Sequence, residues 1–598
     1  MCYNEKGKYT QKNSREFFVI FKEEIIMADI QKAYELWLEK ATEDPDLKTE
    51  LVGIEGKTDE INDRFYRELE FGTAGLRGVI GAGTNRMNVY TVKKATQGLA
   101  EYIIEGGLTK SVAIAYDSRI KSTYFAQSAA EVLAANGIKV HIYKELMPTP
   151  MLSWAVRALK CGAGIVVTAS HNPAKYNGYK VYGADGCQMT SEAANAVLGK
   201  INNIDIFSGV KSTDFNKAVA DGMIEYIGDD VIDGYITKVR EQGLHTDLVE
   251  KSGLKVVYTP LNGTGNKPVR RILKEIGVKD VVVVPEQENP DGNFPTCPFP
   301  NPEIREALAV GLKLCDVEKP DLLLATDPDA DRVGIAVPDG QGGYALFSGN
   351  ETGALLLDYV CKERIALGKM PKNPVAVKTI VTSDITKAIS KKYGVELREV
   401  LTGFKYIGEQ VGLLEAAGEE ERYIFGFEES YGYLAGGYVR DKDAVVASML
   451  ICEMAAYYRT KGISLFEARK NLYEEYGVYY NKVDNFVCEG ASGMERMKEI
   501  MAGLRANSPK SIGGLSVLAT TDYASSVRKE ANGAESAVTL PKSDVITFNL
   551  ENDASVIIRP SGTEPKIKAY YTTVGKTADE ATALQQKLSA DFTKILGF

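Results

Sequence analysis

Three times along the chain an apolar run short enough for a strand enters a polar or glycine-containing turn and gives way to a helical pattern. The runs are SVAIAYDSR at 111–119, LKVVYTPLNGTGNKPVRRIL at 254–273 and NPVAVKTIVTSD at 373–384. After the first comes the helical run FAQSAAEVLAANG at 125–137, then another strand, VHIYKELMPTP at 140–150. Strand, helix, strand is the grammar of α/β sheets. The restarts lack close identity, so three similar α/β units are expected and not a solenoid. A fourth region begins near Lys482, after the helical run SLFEARKNLYEEYG at 464–477. It is strand-rich at VITFNL (545–550), ASVIIRP (554–560) and KIKAYYTTV (566–574), and it closes on a helix at 578–596. The length, 598 residues, agrees: one core cannot organise it, and about four domains of roughly 150 residues are expected. The expected division is an extension at 1–26, then 27–229, 230–345, 346–478 and 479–598. A charge-rich helix at 230–242 and the segment 453–476 read as connectors.

Composition excludes several classes. A net charge of -10 argues against general nucleic-acid binding, which needs a basic surface. Eight cysteines stand singly, with no CxxC pair and no cysteine–histidine cluster for zinc, as in a reduced cytoplasmic protein. No uncharged apolar stretch approaches the roughly 20 residues of a membrane span; the run at 444–458 is interrupted by Glu453 and reads as a core helix. The first 26 residues lack the apolar core of a secretory signal. Met27 then opens an amphipathic helix with Ile30, Ala33, Leu36 and Leu38 near one face, so Met27 is read as a natural start or the preceding piece as a loosely attached extension.

Four loops carry chemistry. In GIVVTASHNPAKYNGYK (164–180) an apolar run stops at Ser170, just past the strand end where open α/β sheets place their reactive groups, so Ser170 is a candidate nucleophile. In DLLLATDPDADRVGIAV (321–337) Asp327, Asp329 and Asp331 alternate after an apolar strand and can converge on one hard divalent cation. A solvated acidic turn is the alternative. An EF-hand is excluded, because Arg332 stands where that loop needs glycine and Pro338 where it needs glutamate. RYIFGFEESYG (422–432) offers two glutamates and a serine to sugar hydroxyls, although a glutamate pair also opens helices, and the nearby Lys442 in RDKDA also reads as a surface ion pair. ASVIIRPSGTEPKIKAYY sets Arg559, Ser561, Gly562 and Thr563 in one turn, suited to a phosphate dianion or simply good turn chemistry. FGTAGLRG (71–78) adds Arg77 in a glycine-rich setting, a weak signal alone. Other motifs fail: Thr168 and Asn172 occupy the glycine positions of a GxSxG elbow, two GKT triplets lack the upstream glycine of a P-loop, and three histidines leave little for an imidazole-based site.

TASHNP, DPDADR, GFEES and RPSGTEP, in that order, resemble the α-D-phosphohexomutase superfamily from about Met27 to the carboxyl end. GFEESYG with RDKDA resembles its phosphoglucomutase branch, which includes bacterial α-phosphoglucomutases and animal phosphopentomutases. The resemblance implies an α/β fold of four domains, three with mixed sheets flanked by helices and a smaller α+β carboxyl-terminal one, around a central cleft. It implies a phosphoserine at Ser170, one magnesium ion held by Asp327, Asp329, Asp331 and an oxygen at Ser170, and glucose 1,6-bisphosphate as activator and intermediate. Lys442 matches the acid/base lysine, His171 is a second proton-handling candidate and Lys180 a helper. Arg77, Arg332 and Thr402 match positions that hold the bisphosphate; Glu428 and Ser430 would read the sugar, and Arg559, Ser561, Gly562 and Thr563 the distal phosphate. The phosphomannomutase branch has a histidine soon after the sugar-loop serine, whereas Tyr431 and Gly432 follow here. Glucose 1-phosphate/glucose 6-phosphate mutase activity is therefore expected, with phosphopentomutase, phosphomannomutase or a non-catalytic sugar-phosphate-binding protein as alternatives. The expected partners are small sugar phosphates, with no nucleic acid or membrane, in a monomer or weak homo-oligomer.

Overall fold

The computed structural model describes residues 28–72, 75–488, 493–561 and 566–598. Four sheets, each with its own helices, organise the chain as three α/β domains and a β-rich carboxyl-terminal domain. By packing these fall into two compact units, one running to Tyr235 with Asn262–Thr264 and Asn289–Asn301, the other holding Ile236–Leu261, Gly265–Glu288 and Pro302–Phe598.

The first unit is built on a six-stranded sheet of β1 (Gly75–Val79), β2 (Ser111–Tyr116), β3 (Lys139–Ile142), β4 (Ala163–Val167), β5 (Tyr176–Gly183) and β6 (Ile224–Tyr226), in the order β1-β5-β4-β2-β3-β6. β2 pairs in parallel with β3 and β4, and β4 then pairs antiparallel with β5. Every residue of β4 is buried, as a continuous apolar run covered on both faces requires. A helix at 28–40 precedes the sheet and buries Ile30, Tyr34 and Trp37. That stripe follows the 3.6-residue period and leaves Leu36, expected on the apolar face, 41% exposed.

The second unit repeats the scheme twice. β7 (Lys255–Thr259), β8 (Asp280–Val283), β9 (Leu322–Thr326), β10 (Val333–Pro338) and β11 (Tyr344–Phe347) form one sheet, in which β7 runs parallel to β8 and β9 while β10 returns antiparallel to β9. In the next, β12 (Val375–Thr379) is parallel to β13 (Glu396–Val400) and β14 (Tyr423–Glu428), and β15 (Gly432–Leu434) returns antiparallel to β14. The carboxyl-terminal sheet joins β16 (Val478–Val487), β17 (Ser511–Ile512), β18 (Leu515–Asp522), β19 (Val527–Glu530), β20 (Glu535–Ala537), β21 (Ile546–Leu550), β22 (Ser555–Pro560) and β23 (Lys566–Gly575), with the helix Ala578–Ile595 packed on it.

One device recurs. In each α/β sheet the strand β4, β9 or β14, buried along its whole length, ends and its successor reverses beside it within a few residues. Each reversal holds one non-glycine residue at positive φ: Ser170 at 50°, Ala330 at 48° and Tyr431 at 66°. That conformation costs about 1–2 kcal/mol for an L-residue, so surrounding contacts must hold it. The segment 453–476 is not a connector as expected: Glu453 lies inside the helix Ala444–Thr460, whose residues from Ala444 to Tyr458 are all buried. A helix apolar all round belongs in a core, and Glu453 is tolerated there because its carboxylate accepts from the Leu244 amide at 2.9 Å and the Tyr359 hydroxyl at 2.9 Å.

Candidate active site

In the first unit, Ser170 is buried and follows the end of β4. Its amide donates to Thr168 Oγ1 at 2.8 Å, and Thr168 in turn donates to Asp117 Oδ2 at 2.6 Å. Ser170 Oγ lies 3.1 Å from His171 Nδ1, so the imidazole can exchange a proton with that oxygen. Lys180 sits on β5 and Arg77 on β1, where Arg77 stands opposite Gly178 and Gly75 opposite Lys180. Cross-strand and two-residue neighbours share a face, so these two cations are diagonal neighbours on one side of the sheet.

In the second unit, the loop after β9 folds on its own first carboxylate. Asp327 Oδ1 accepts from the amides of Asp331 at 3.1 Å and Arg332 at 3.0 Å. Asp327, Asp329 and Asp331 are all fully or almost fully buried, with one carboxylate oxygen of each within 4.8 Å of the others. A solvated acidic turn is therefore ruled out. Burial, then the charges of Asp329 and Asp331, push the Asp327 carboxyl well above the usual range, against the pull of Arg332. An all-oxygen, anionic donor set that repels itself when buried fits a hard divalent cation, which would relieve that repulsion.

Lys442 stands against this cluster. Its Nζ lies 3.1 Å from Asp331 Oδ2 and 3.1 Å from Asp441 Oδ1, with only 12% of the side chain exposed, so it is no surface ion pair. Burial pulls its pKa down, but Asp331, Asp441 and Glu428 together hold it well above the ordinary lysine value, and the side chain is an ammonium. Asp443, the other aspartate adjacent to Lys442 in the sequence, does something else. Its Oδ1 caps the helix Ala444–Thr460 through the amides of Val445 at 2.8 Å and Val446 at 3.1 Å, while its other oxygen accepts from Tyr438. Gly432 leaves the passage for the lysine stem, since a Cβ there would lie 2.2 Å from Lys442 Cδ.

Glu428 ends β14 and is buried. Burial raises its pKa, opposed by Lys442, Arg332 and the Ser430 hydroxyl, so the expected sugar-reading pair is brought together beside the lysine. Glu429, the second glutamate of that loop, turns elsewhere: its Oε2 accepts from Thr379 Oγ1 at 3.2 Å, and burial together with the charge of Glu428 lifts its pKa to about 7. Arg332 is paired with Glu303, a residue without a sequence signal, and its Nε has no hydrogen-bond partner among the described residues. Thr402 Oγ1, just past β13, and Arg559 Nε, on β22, are likewise buried and unpartnered among the described residues. Three buried donors left open in this way suit an anionic ligand. Arg559 faces Lys568 across β22 and β23, and the Ser561 amide donates to the Lys566 carbonyl at 2.8 Å. Gly562 and Thr563 lie outside the described residues.

Three family models match the chain: phosphoglucomutase/phosphomannomutase α/β/α domain I over residues 68–206, domain II over 233–341 and domain III over 348–476. A phosphoglucomutase of Staphylococcus haemolyticus is 38% identical over 513 residues, covering 85% of this chain and 91% of its own. One of Staphylococcus aureus is 37% identical over 570 residues, covering 93% and 98%. Among solved structures, the open form of the Paramecium phosphoglucomutase parafusin aligns with a TM-score of 0.65 at 18% identity, covering 89% of this chain and 95% of its own. A phosphoglucomutase/phosphomannomutase family protein of Burkholderia thailandensis aligns at 0.64 and 17%, covering 88% and 97%.

Proposed function

The chain belongs to the phosphoglucomutase/phosphomannomutase family of the α-D-phosphohexomutase superfamily, and from that premise we propose that it interconverts glucose 1-phosphate and glucose 6-phosphate through a phosphoserine at Ser170 and a glucose 1,6-bisphosphate intermediate. It is an isomerase working by phosphoryl transfer. The observation that carries the assignment is the contiguity of Asp327, Asp329 and Asp331 with an ammonium, Lys442, and with the buried Glu428. Charge neutralisation, hydrogen-bond donation and hydroxyl recognition are thereby gathered at one place.

In the forward half-reaction the bond from phosphorus to Ser170 Oγ breaks and a bond from phosphorus to the free sugar hydroxyl forms. The proton that leaves the hydroxyl is the one that Ser170 Oγ gains, passed on by His171, whose Nδ1 lies beside that oxygen. The second half-reaction reverses this with the other phosphoryl group after the bisphosphate has turned. Asp327, Asp329 and Asp331 would hold magnesium, which when bound supplies Lewis-acid stabilisation of the transferring phosphoryl oxygens. Lys442, already protonated, keeps its proton and serves as the hydrogen-bond donor and electrostatic anchor beside Asp331. Glu428 and Ser430 orient the sugar, Lys180 assists in the first domain, and Arg77, Arg332, Thr402, Arg559, Ser561, Gly562 and Thr563 bind phosphate. Arginine forks and hydroxyls are insensitive to which sugar carbon carries the phosphate, so the same grip serves both orientations. A reducing, cytoplasmic setting is supported by seven described cysteines, all free and buried. Among the described residues no helix is long and apolar enough to cross a membrane.

The test is covalent. After incubation with glucose 1,6-bisphosphate the wild-type protein should carry one phosphoryl group on Ser170 and Ser170→Ala none, and turnover should favour glucose 1-phosphate over ribose and mannose 1-phosphates. Absence of the phosphoryl group would sink the mutase mechanism; preference for ribose 1-phosphate would keep the mechanism and overturn the substrate.

A further inference from the structure

Ser170 sits at a φ of 50°, and something must hold it there. The described contacts of the 168–176 loop converge on one side chain, Arg119, which the sequence shows only as the end of a polar turn after β2. Its side chain is fully buried. Its Nη1 donates to the carbonyls of Pro173 and Tyr176, both at 3.0 Å, and its Nη2 to the carbonyls of Ser170 and Asn172. A guanidinium has four terminal N–H bonds and one on Nε. Four carbonyls meet the terminal nitrogens, and Nε faces Asp117 Oδ2 at 3.3 Å.

The rest of the surroundings fix the clamp itself. Asp117 is buried and neutralises the guanidinium; it also accepts from the Arg119 amide at 2.9 Å, Ser122 Oγ at 2.7 Å and Thr168 Oγ1 at 2.6 Å. Thr168 Oγ1 accepts in turn from the Ser170 amide, so Asp117 reaches the loop from its start while Arg119 grips it along its length. The Phe294 ring covers the guanidinium, its centroid 5.1 Å away. That segment approaches closely only because residue 292 is glycine, where a Cβ would lie 2.5 Å from the Ile120 amide nitrogen and 2.8 Å from the Arg119 carbonyl carbon.

We propose that Arg119 is the positioning residue of the nucleophile: by donating to the carbonyls of residues 170, 172, 173 and 176 it holds Ser170 in the left-handed conformation from which its oxygen is presented for phosphoryl transfer. The inference rests on Ser170 being the phosphorylated residue. Lysine cannot replace the fork, because one ammonium offers three donors from a single point, whereas the guanidinium spreads its donors in a plane.

Arg119→Lys keeps a cation for Asp117 and so separates positioning from the loss of a buried charge partner. The expected result is a fall of roughly 10²-fold in kcat and in the rate at which glucose 1,6-bisphosphate phosphorylates Ser170, with the KM for glucose 1-phosphate changed little. A merely structural role would lower the melting temperature and the fraction of phosphorylatable protein but leave the rate per phosphorylatable site unchanged. Gly292→Ala provides a second variant that replaces neither Arg119 nor Asp117; by pressing on the Arg119–Ile120 backbone and lifting Phe294 it should slow Ser170 phosphorylation about 10-fold, the cost of a smaller misplacement. Wild-type rates of phosphorylation and turnover in both folded variants would overturn the inference alone. Failure of the wild-type protein to take a phosphoryl group on Ser170 would instead overturn the nucleophile assignment, and this inference with it.

Discussion

Adding one methyl group at residue 432 should displace the Lys442 ammonium without replacing the lysine. Gly432 opens β15 and is not at positive φ, so alanine strains no backbone there. The new Cβ would lie 2.2 Å from Cδ and 2.6 Å from Cγ of Lys442, and 3.1 Å from Glu428 Oε1, where ordinary contact begins at 3.4 Å. The lysine stem must therefore retreat by about 1.2 Å. Its ammonium is held at 3.1 Å by both Asp331 and Asp441, and a retreat of that size stretches at least one of these contacts beyond hydrogen-bond length. A displacement of about 1 Å at a reacting group costs on the order of 10²-fold in rate, so kcat for glucose 1-phosphate in Gly432→Ala should fall by about that factor. Overpacking should cost about 1–3 kcal/mol, partly offset by the stiffer unfolded chain of alanine, which leaves a domain that still folds. A coupled assay of glucose 6-phosphate formation reads the rate, and a melting curve checks the fold. If the loss acts through Lys442, adding Gly432→Ala to Lys442→Ala should cause little further loss, because the two share one contact. A folded Gly432→Ala with wild-type kcat, or full additivity with Lys442→Ala, would refute the reasoning.

Two further outcomes follow from the same geometry. Asp329→Asn removes a charge from the buried carboxylate trio while preserving its volume, so turnover should fall by orders of magnitude and the magnesium concentration for half-maximal activity should rise, with the circular dichroism spectrum unchanged; wild-type activity would place the metal elsewhere. Glu429 keeps its proton up to about pH 7 in the folded chain but ionises near 4.5 when unfolded. The folded state therefore binds more protons across that window, so the contribution is fully present below about pH 4.5 and is lost as pH rises through 7. Glu429→Gln, which cannot ionise, should gain melting temperature relative to wild type at pH 8 compared with pH 5, and a difference independent of pH would contradict the assignment.

Much of this site was legible in the sequence because it lies where short-range signals are strong. An apolar strand that stops at a polar residue marks the end of β4, β9 and β14 whatever the tertiary structure does, and those ends carry Ser170, Asp327 and Glu428. What the sequence hid were choices made by distant partners. In Asp441-Lys442-Asp443 both aspartates look equivalent, yet only Asp441 faces the ammonium; Asp443 is taken as a cap by the apolar helix that follows, a signal that an aspartate directly before an apolar run does carry. Glu453 interrupts the apolar run of a core helix, and the Leu244 amide, 209 residues earlier in the chain, together with the Tyr359 hydroxyl shows why it can be buried. Arg119 was invisible for the same reason, since the carbonyls it holds come from residues 51 to 57 positions later.

The positive φ values were hidden differently. Glycine usually announces a left-handed turn, but Ser170, Ala330 and Tyr431 occupy such positions without it. At Ser170 the reason is chemical, because the residue that makes the turn must also carry the hydroxyl. At Ala330 and Tyr431 the neighbours carry the function, and the turn sets their direction: Asp329 and Asp331 flank one, and Ser430 precedes the other. A buried parallel strand followed by an antiparallel return fixes where the chain must reverse, and the left-handed residue fixes how sharply. The chemistry of each loop is then decided by the one or two side chains beside that residue, which explains how one sheet plan, used three times in this chain, supports a nucleophile, a metal site and a hydroxyl-reading loop.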